Sequence, residues 1–180
     1  MESVTTLNDV LEDIAYHNKI AKYSFSLYSK NGELERTMYV EPHEIDEKLE
    51  RFKNIVQKNN YELKCSSEVE LAGGNKAHLM LIDFCVDKTD ENVRKAIYFI
   101  KSNGLDSGFF VDGNKAIQFY SKNICDSAET LGKKIAEIKK ECSPMIDIDW
   151  TRYCLMNKRA EIQVMTPKNT TIPSVAARIR

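Results

Sequence analysis

Hydrophobic positions recur along this chain with two different periods, and the switches between them mark out the elements. Leu7, Val10, Leu11 and Ile14 fall at i, i+3, i+4 and i+7, the stripe of an amphipathic helix, with Thr6 and Asn8 as capping residues. From Lys22 to Ser29 the period drops to two, with Tyr23, Phe25 and Leu27 on one side. Lys30-Asn31-Gly32 is a turn signal, and Leu34 to Val40 returns as a strand. Pro42 suits a helix start, and Ile45, Leu49, Phe52 and Val56 form the apolar face of the helix that follows, closed by Asn59-Asn60. Tyr61–Cys65 and Val69–Leu71 are two short strand candidates before Gly73-Gly74-Asn75.

Beyond that break the pattern is more regular. An apolar run, Ala77 to Phe84, predicts a buried strand. Val93, Ile97 and Ile100 predict a helix opened by Asp90-Glu91 and ended by Gly104. Residues 108–112 and 115–121 read as a hairpin turned at Gly113-Asn114. Asp126-Ser127-Ala128-Glu129 has a capping-box pattern, and Leu131, Ile135 and Ile138 form the buried face of the helix it starts. Pro144 bars continuation, and Met145–Trp150 and Glu161–Met165 read as strands. The order from 77 onward is β-α-β-β-α-β. The expected class is therefore α+β, an RRM-like or ferredoxin-like split βαβ unit of the kind also found in polymerase palms. Residues 1–72 form a smaller N-terminal α/β unit packed on residues 73–180, in one compact domain. The tail after Pro167 is expected to be irregular or docked on a partner.

Composition adds boundaries. At 180 residues the chain can bury a single sizeable core. No apolar run is long enough for a membrane span and the N-terminus lacks a signal-peptide core, so no membrane association and a cytoplasmic location are expected. The five cysteines, Cys65, Cys85, Cys125, Cys142 and Cys154, form no C-x-x-C pair, which favours free thiols over zinc or a redox dithiol. Residues 151–180 hold six Lys/Arg against one acid, Glu161, a net of +5 that leaves −6 on residues 1–150. A basic end on an acidic body suits a polyanion.

Candidate chemistry gathers on strand ends. Asp83 closes the first strand of the split unit, and Asp147 and Asp149 lie in the region that this topology brings beside it. Carboxylates on neighbouring strand ends suit a hard cation such as Mg²⁺ or Mn²⁺, which takes oxygen ligands. His17, His43 and His78 are scattered and carry no ligand spacing. Phe119, Tyr120 and Trp150 offer rings that either fill the core or stack a base. No P-loop, dinucleotide fingerprint or nucleophile elbow is present.

In their order along the chain, Leu81-Ile82-Asp83-Phe84-Cys85, Asp112-Gly113-Asn114-Lys115-Ala116-Ile117-Gln118 and Ile146-Asp147-Ile148-Asp149 resemble the three signatures of the archaeo-eukaryotic primase superfamily. Those are a hydrophobic strand ending in Asp-x-Asp, a Ser-x-His-like hairpin, and a hydrophobic residue followed by Asp with basic residues downstream. The resemblance covers about residues 77–165. It implies a palm with Asp83 and Asp147 as catalytic carboxylates and Lys115, Gln118, Arg152, Lys158 and Arg159 as nucleotide or nucleic-acid contacts. Cys85 stands at the second metal-binding Asp, Gln118 at the phosphate-contacting His, and Asp112 at a small hydroxyl residue. A thiol is a poor Mg²⁺ ligand and Gln carries no charge. The resemblance therefore implies an eroded polymerase site in a DNA- or RNA-binding protein, acting alone or beside a primase or helicase subunit. The alternatives are an active nucleotidyltransferase with a metal set of Asp83, Asp87 and Asp147, an RNA-recognition-like module that stacks bases, and a protein-interaction domain.

Overall fold

The computed structural model describes residues 3–113 and 115–180. In chain order it holds α1 (Leu7–Asn18), β1 (Ile20–Tyr28), β2 (Leu34–Val40), a 3-10 turn at Pro42–Glu44, α2 (Ile45–Asn59), β3 (Glu62–Leu71) and β4 (Lys76–Phe84). The second half adds α3 (Asp90–Ser102), β5 (Gly108–Asp112), β6 (Ile117–Cys125), α4 (Ala128–Cys142), α5 (Ile148–Asn157), β7 (Glu161–Met165) and β8 (Ser174–Ile179).

Local chemistry sets the helix ends. The Thr6 side chain accepts from the Asp9 amide while the Asp9 carboxylate accepts from the Thr6 amide at 2.9 Å, a reciprocal cap on α1. Asn60 ends α2 in the left-handed region at φ 56°, which Asn tolerates better than most residues. Ser127, rather than Asp126, caps α4 by accepting from Thr130 N at 3.1 Å.

The strands form one antiparallel sheet in the order β2-β1-β3-β4-β6-β5-β8, with β7 paired to β3. The sheet crosses residues 72–73 without a break, because β3 and β4 pair through Glu68–His78, Val69–Ala77 and Glu70–Lys76. Helix α1 packs on β1 and β6, α2 on β3, and α4 on β4 and β6, with α3 against α4 and β8. Phe84, Phe110 and Phe119 form an aromatic core, with ring centroids 5.0 Å apart for Phe110–Phe119 and 6.1 Å for Phe84–Phe110. Gly108 makes this packing possible. A Cβ there would lie 2.6 Å from both the Phe119 ring and the Tyr120 carbonyl. No helix among the described residues is long and apolar enough to cross a membrane.

Several expectations change. The order β4-β6-β5 is that of the split unit, but β7 hydrogen-bonds to β3 (Lys64–Gln163, Cys65–Ile162) rather than completing a ladder with β4. The two short strands expected at 61–65 and 69–71 are one ten-residue β3. Only its second half meets β4, which leaves residues 63–66 with backbone groups to satisfy, and β7 satisfies them. Met145–Trp150 is not a strand. Met145 and Ile146 are buried in a connection, and Ile148 starts α5. The tail after Pro167 is not irregular throughout, since β8 adds to β5 through Phe109–Arg178 and Phe110–Ala177. The expected turn residue Asn114 lies outside the described residues, and the returning strand begins at Ile117, later than expected.

Candidate active site

Strand alternation fixes the direction of Asp83. It pairs with Gln118 and Leu81 pairs with Tyr120, so these four side chains share one face, while Ile82 and Phe119 point to the opposite face. A one-residue slip would push Phe119 out of the aromatic core, so core packing holds the acid in place. Asp83 is largely buried, and its Oδ1 has no hydrogen-bond partner. Its carboxyl is pushed up to about 6, first by burial and then by the charge of Asp147, with Lys64 opposing.

Asp147 reaches this acid by another route than the one expected. It is the N-cap of α5, its Oδ1 accepting from Asp149 N at 2.6 Å and Trp150 N at 3.4 Å. Local capping therefore overrides the strand-like alternation of residues 145–150. Asp149 is exposed and pairs with Arg152 at 3.5 Å.

Cys85 lies beside the two acids. Its backbone N donates to Met145 O at 2.7 Å, and its thiol lies 3.3 Å from Met145 O and 3.4 Å from Pro144 O. Burial, then the Asp147 charge, raises the thiol pKa, so the group is a neutral donor. Among the described residues no three His, Cys, Asp or Glu side chains stand close enough to hold a metal ion together. Asp87 does not stand in such a group with Asp83 and Asp147. It sits in the turn leading to α3, where its carbonyl accepts from Thr89 N and Asn92 Nδ2, each at 2.9 Å.

Gln118 is 2% exposed. Its Nε2 donates to Gln163 O at 2.8 Å and its Oε1 accepts from Tyr120 Oη at 3.4 Å. Gly113 makes room for it, since a Cβ there would lie 2.6 Å from the Gln118 carboxamide. Lys115 is exposed on the hairpin, and Asp112 lies 3.9 Å from Lys88. Tyr120 is fully buried and is not a stacking platform; Trp150 is partly buried and donates from Nε1 to Glu161 O at 3.0 Å.

Arg159 does not face open solvent as a free phosphate contact. Its Nε donates to Glu161 Oε1 at 2.9 Å, while Tyr28 and Tyr153 donate to Glu161 Oε2 at 2.6 and 2.9 Å. This buried carboxylate ties β1, α5 and β7 together. Arg152 is exposed on α5, and Lys158 is exposed at the C-cap that ends it.

Sequence reading missed three cations. Lys64 stands over the Tyr28 ring at 4.7 Å and acts on Asp83. Lys139 and Lys140, from the last turn of α4, line an open cleft of about 710 Å³ together with Cys85, Asp147 and Asp149. Their signal lay in helical periodicity just ahead of Pro144, but only the position of α5 makes that turn the wall of a cleft.

No family model and no curated protein matches the sequence. Two solved structures share the fold. The catalytic domain of primase RepB′ in complex with initiator DNA aligns with a TM-score of 0.60 at 10% identity, covering 93% of this chain and 82% of that one. A second structure of primase RepB′ aligns with a TM-score of 0.57 at 11% identity, covering 93% of this chain and 54% of that one. The chain thus has the fold of a primase catalytic domain.

Proposed function

We propose that this chain is a nucleic-acid-binding protein of primase ancestry whose polymerase site is eroded. The observation that carries this reading is Gln118. At the position where a primase is expected to present a phosphate-contacting group, its carboxamide is buried and committed to the Gln163 carbonyl. A triphosphate would have to break that bond and bury its own charge beside Asp83 and Asp112. Cys85, whose thiol is held by two carbonyls, adds no anionic oxygen. Exposed positive side chains that a polynucleotide could use are Lys140, which lines the cleft, Lys115 on the hairpin, Arg152 on α5 and Lys158 just beyond its end.

A second reading has its own support. The unpartnered Oδ1 of Asp83 and the nearness of Asp147 fit one hard cation, Mg²⁺ or Mn²⁺, completed by water. A cation there would neutralise the acid pair and help hold a phosphate, as in an active nucleotidyltransferase. It would not restore a carboxylate at Cys85.

Two measurements separate the readings. Fluorescence anisotropy with DNA and RNA oligonucleotides at low salt should show binding that weakens steeply as salt rises. Primer synthesis with Mg²⁺ or Mn²⁺ should be absent. Robust synthesis that is lost in Asp83→Ala would replace the first reading with the second, and no binding to any oligonucleotide at low salt would end both.

A further inference from the structure

Three large apolar side chains left in solvent sit on one short helix. On α5, Ile148 is 49% exposed, Leu155 48% and Met156 82%. They fall at i, i+7 and i+8, so they form one stripe. The other side of α5 is already used, with Thr151 and Cys154 buried and Tyr153 bonded to Glu161. Beside the stripe, a trough of about 600 Å³ runs between α4 and α5. Its α4 wall is Ala128, Gly132 and Ala136, which share a row because they are four residues apart. Gly132 is closed in by Leu155, whose Cδ2 would lie 3.0 Å from a Cβ there.

The charges along this trough are unbalanced. Glu129 is bound to Lys133 at 3.0 Å, while Lys158 at the other end has no ion-pair partner among the described residues. Of the charged side chains that line the trough, Glu129, Lys133 and Lys158, only Lys158 is therefore left without a counter-charge.

We propose that the trough and stripe form a docking site for an α-helix of a partner protein, one that presents a row of apolar side chains flanked by carboxylates. A wall of small residues between two helices fits a rod, whose axis can approach to about 8–10 Å. The uncompensated charge of Lys158 favours acidic flanks. The trough itself does not include Asp83 or Asp147, although Ile148 also borders the Asp147 cleft and Lys158 is shared with the nucleic-acid reading.

Two synthetic helical peptides test this, both with leucines at i, i+3 and i+7, one flanked by Glu and the other by Lys. Each is titrated against the full chain by fluorescence anisotropy. The Glu-flanked peptide should bind with a Kd of about 10–100 µM, and the Lys-flanked peptide about tenfold more weakly. Met156→Glu should weaken the Glu-flanked peptide about tenfold or more without moving the melting temperature, since that side chain is 82% exposed. Lys158→Glu should narrow or reverse the preference between the peptides. No binding of the Glu-flanked peptide at about 1 mM, or equal binding by wild type and both variants, overturns the proposal. Binding to phosphatidylserine vesicles that Met156→Glu abolishes, with neither peptide bound, assigns the surface to lipid and overturns it as well.

Discussion

Asp83→Asn removes a charge that the fold holds at a cost. Folding moves this carboxyl from 3.8 to about 6, through burial first and the Asp147 charge second. At about 1.4 kcal/mol per pKa unit, that displacement corresponds to roughly 3 kcal/mol. The folded state binds the proton more tightly than the unfolded chain. The contribution of Asp83 is therefore most favourable below about pH 4, falls as pH rises toward 6, and is flat above. Asn cannot ionise, so the variant should match or fall below wild type at pH 3.5 and exceed it by up to about 3 kcal/mol at pH 7.5. Urea unfolding of both proteins at pH 3.5, 5, 6 and 7.5 measures this, and taking the difference between them cancels the other titrating groups. If Asp83 and Asp147 also hold a cation, Mg²⁺ at ten times its Kd should stabilise wild type by about 1.4 kcal/mol at pH 7.5 and leave Asp83→Asn unchanged. A stability difference that does not vary with pH would refute the argument that burial and Asp147 strain this acid.

The remaining predictions concern its surroundings. Asp147→Ala should cost about 1 kcal/mol through the lost α5 cap and should also lower the Asp83 pKa by removing a neighbouring charge, which NMR titration of the carboxyl would detect. Glu161→Leu should destabilise by about 3 kcal/mol, because it leaves Arg159 and two tyrosine hydroxyls without their acceptor. Tyr28→Phe, which removes one bond to that carboxylate, should cost about 1.5–3 kcal/mol by the same denaturation assay. Gly108→Ala forces a methyl group to within 2.6 Å of the Phe119 ring and the Tyr120 carbonyl. It should cost about 2 kcal/mol or more, and a melting temperature within experimental error of wild type would contradict that packing.

Helices α1 to α4 and most strands were legible because their signals are local. Thr6 caps α1, the apolar stripes of α2, α3 and α4 have helical spacing, and Ala77–Phe84 is apolar enough to be a central strand. The motif order placed Asp83 and Asp147 together, and the structure brings them close enough to repel, though Asp147 does so from a helix cap. Where two local signals competed, sequence reading chose the wrong one. The alternation of Met145–Trp150 has the period of a strand, but the Asp147 side chain satisfies the first amides of α5, and that settles the conformation.

Other features had no local signal at all. The merging of two strands into β3, the pairing of β7 with β3 and the addition of β8 to β5 depend on which backbone edges the rest of the sheet leaves open. Arg159 looked free in the sequence and is bound to a glutamate two residues away, inside a network that also needs Tyr28 from β1. The chain's own residue order determined most of its elements and its mixed α+β class. Tertiary structure alone decided which charges are buried, which cations reach the cleft and which apolar side chains stay exposed on α5. Those outcomes depend on contacts between residues far apart in sequence, where periodicity carries no information.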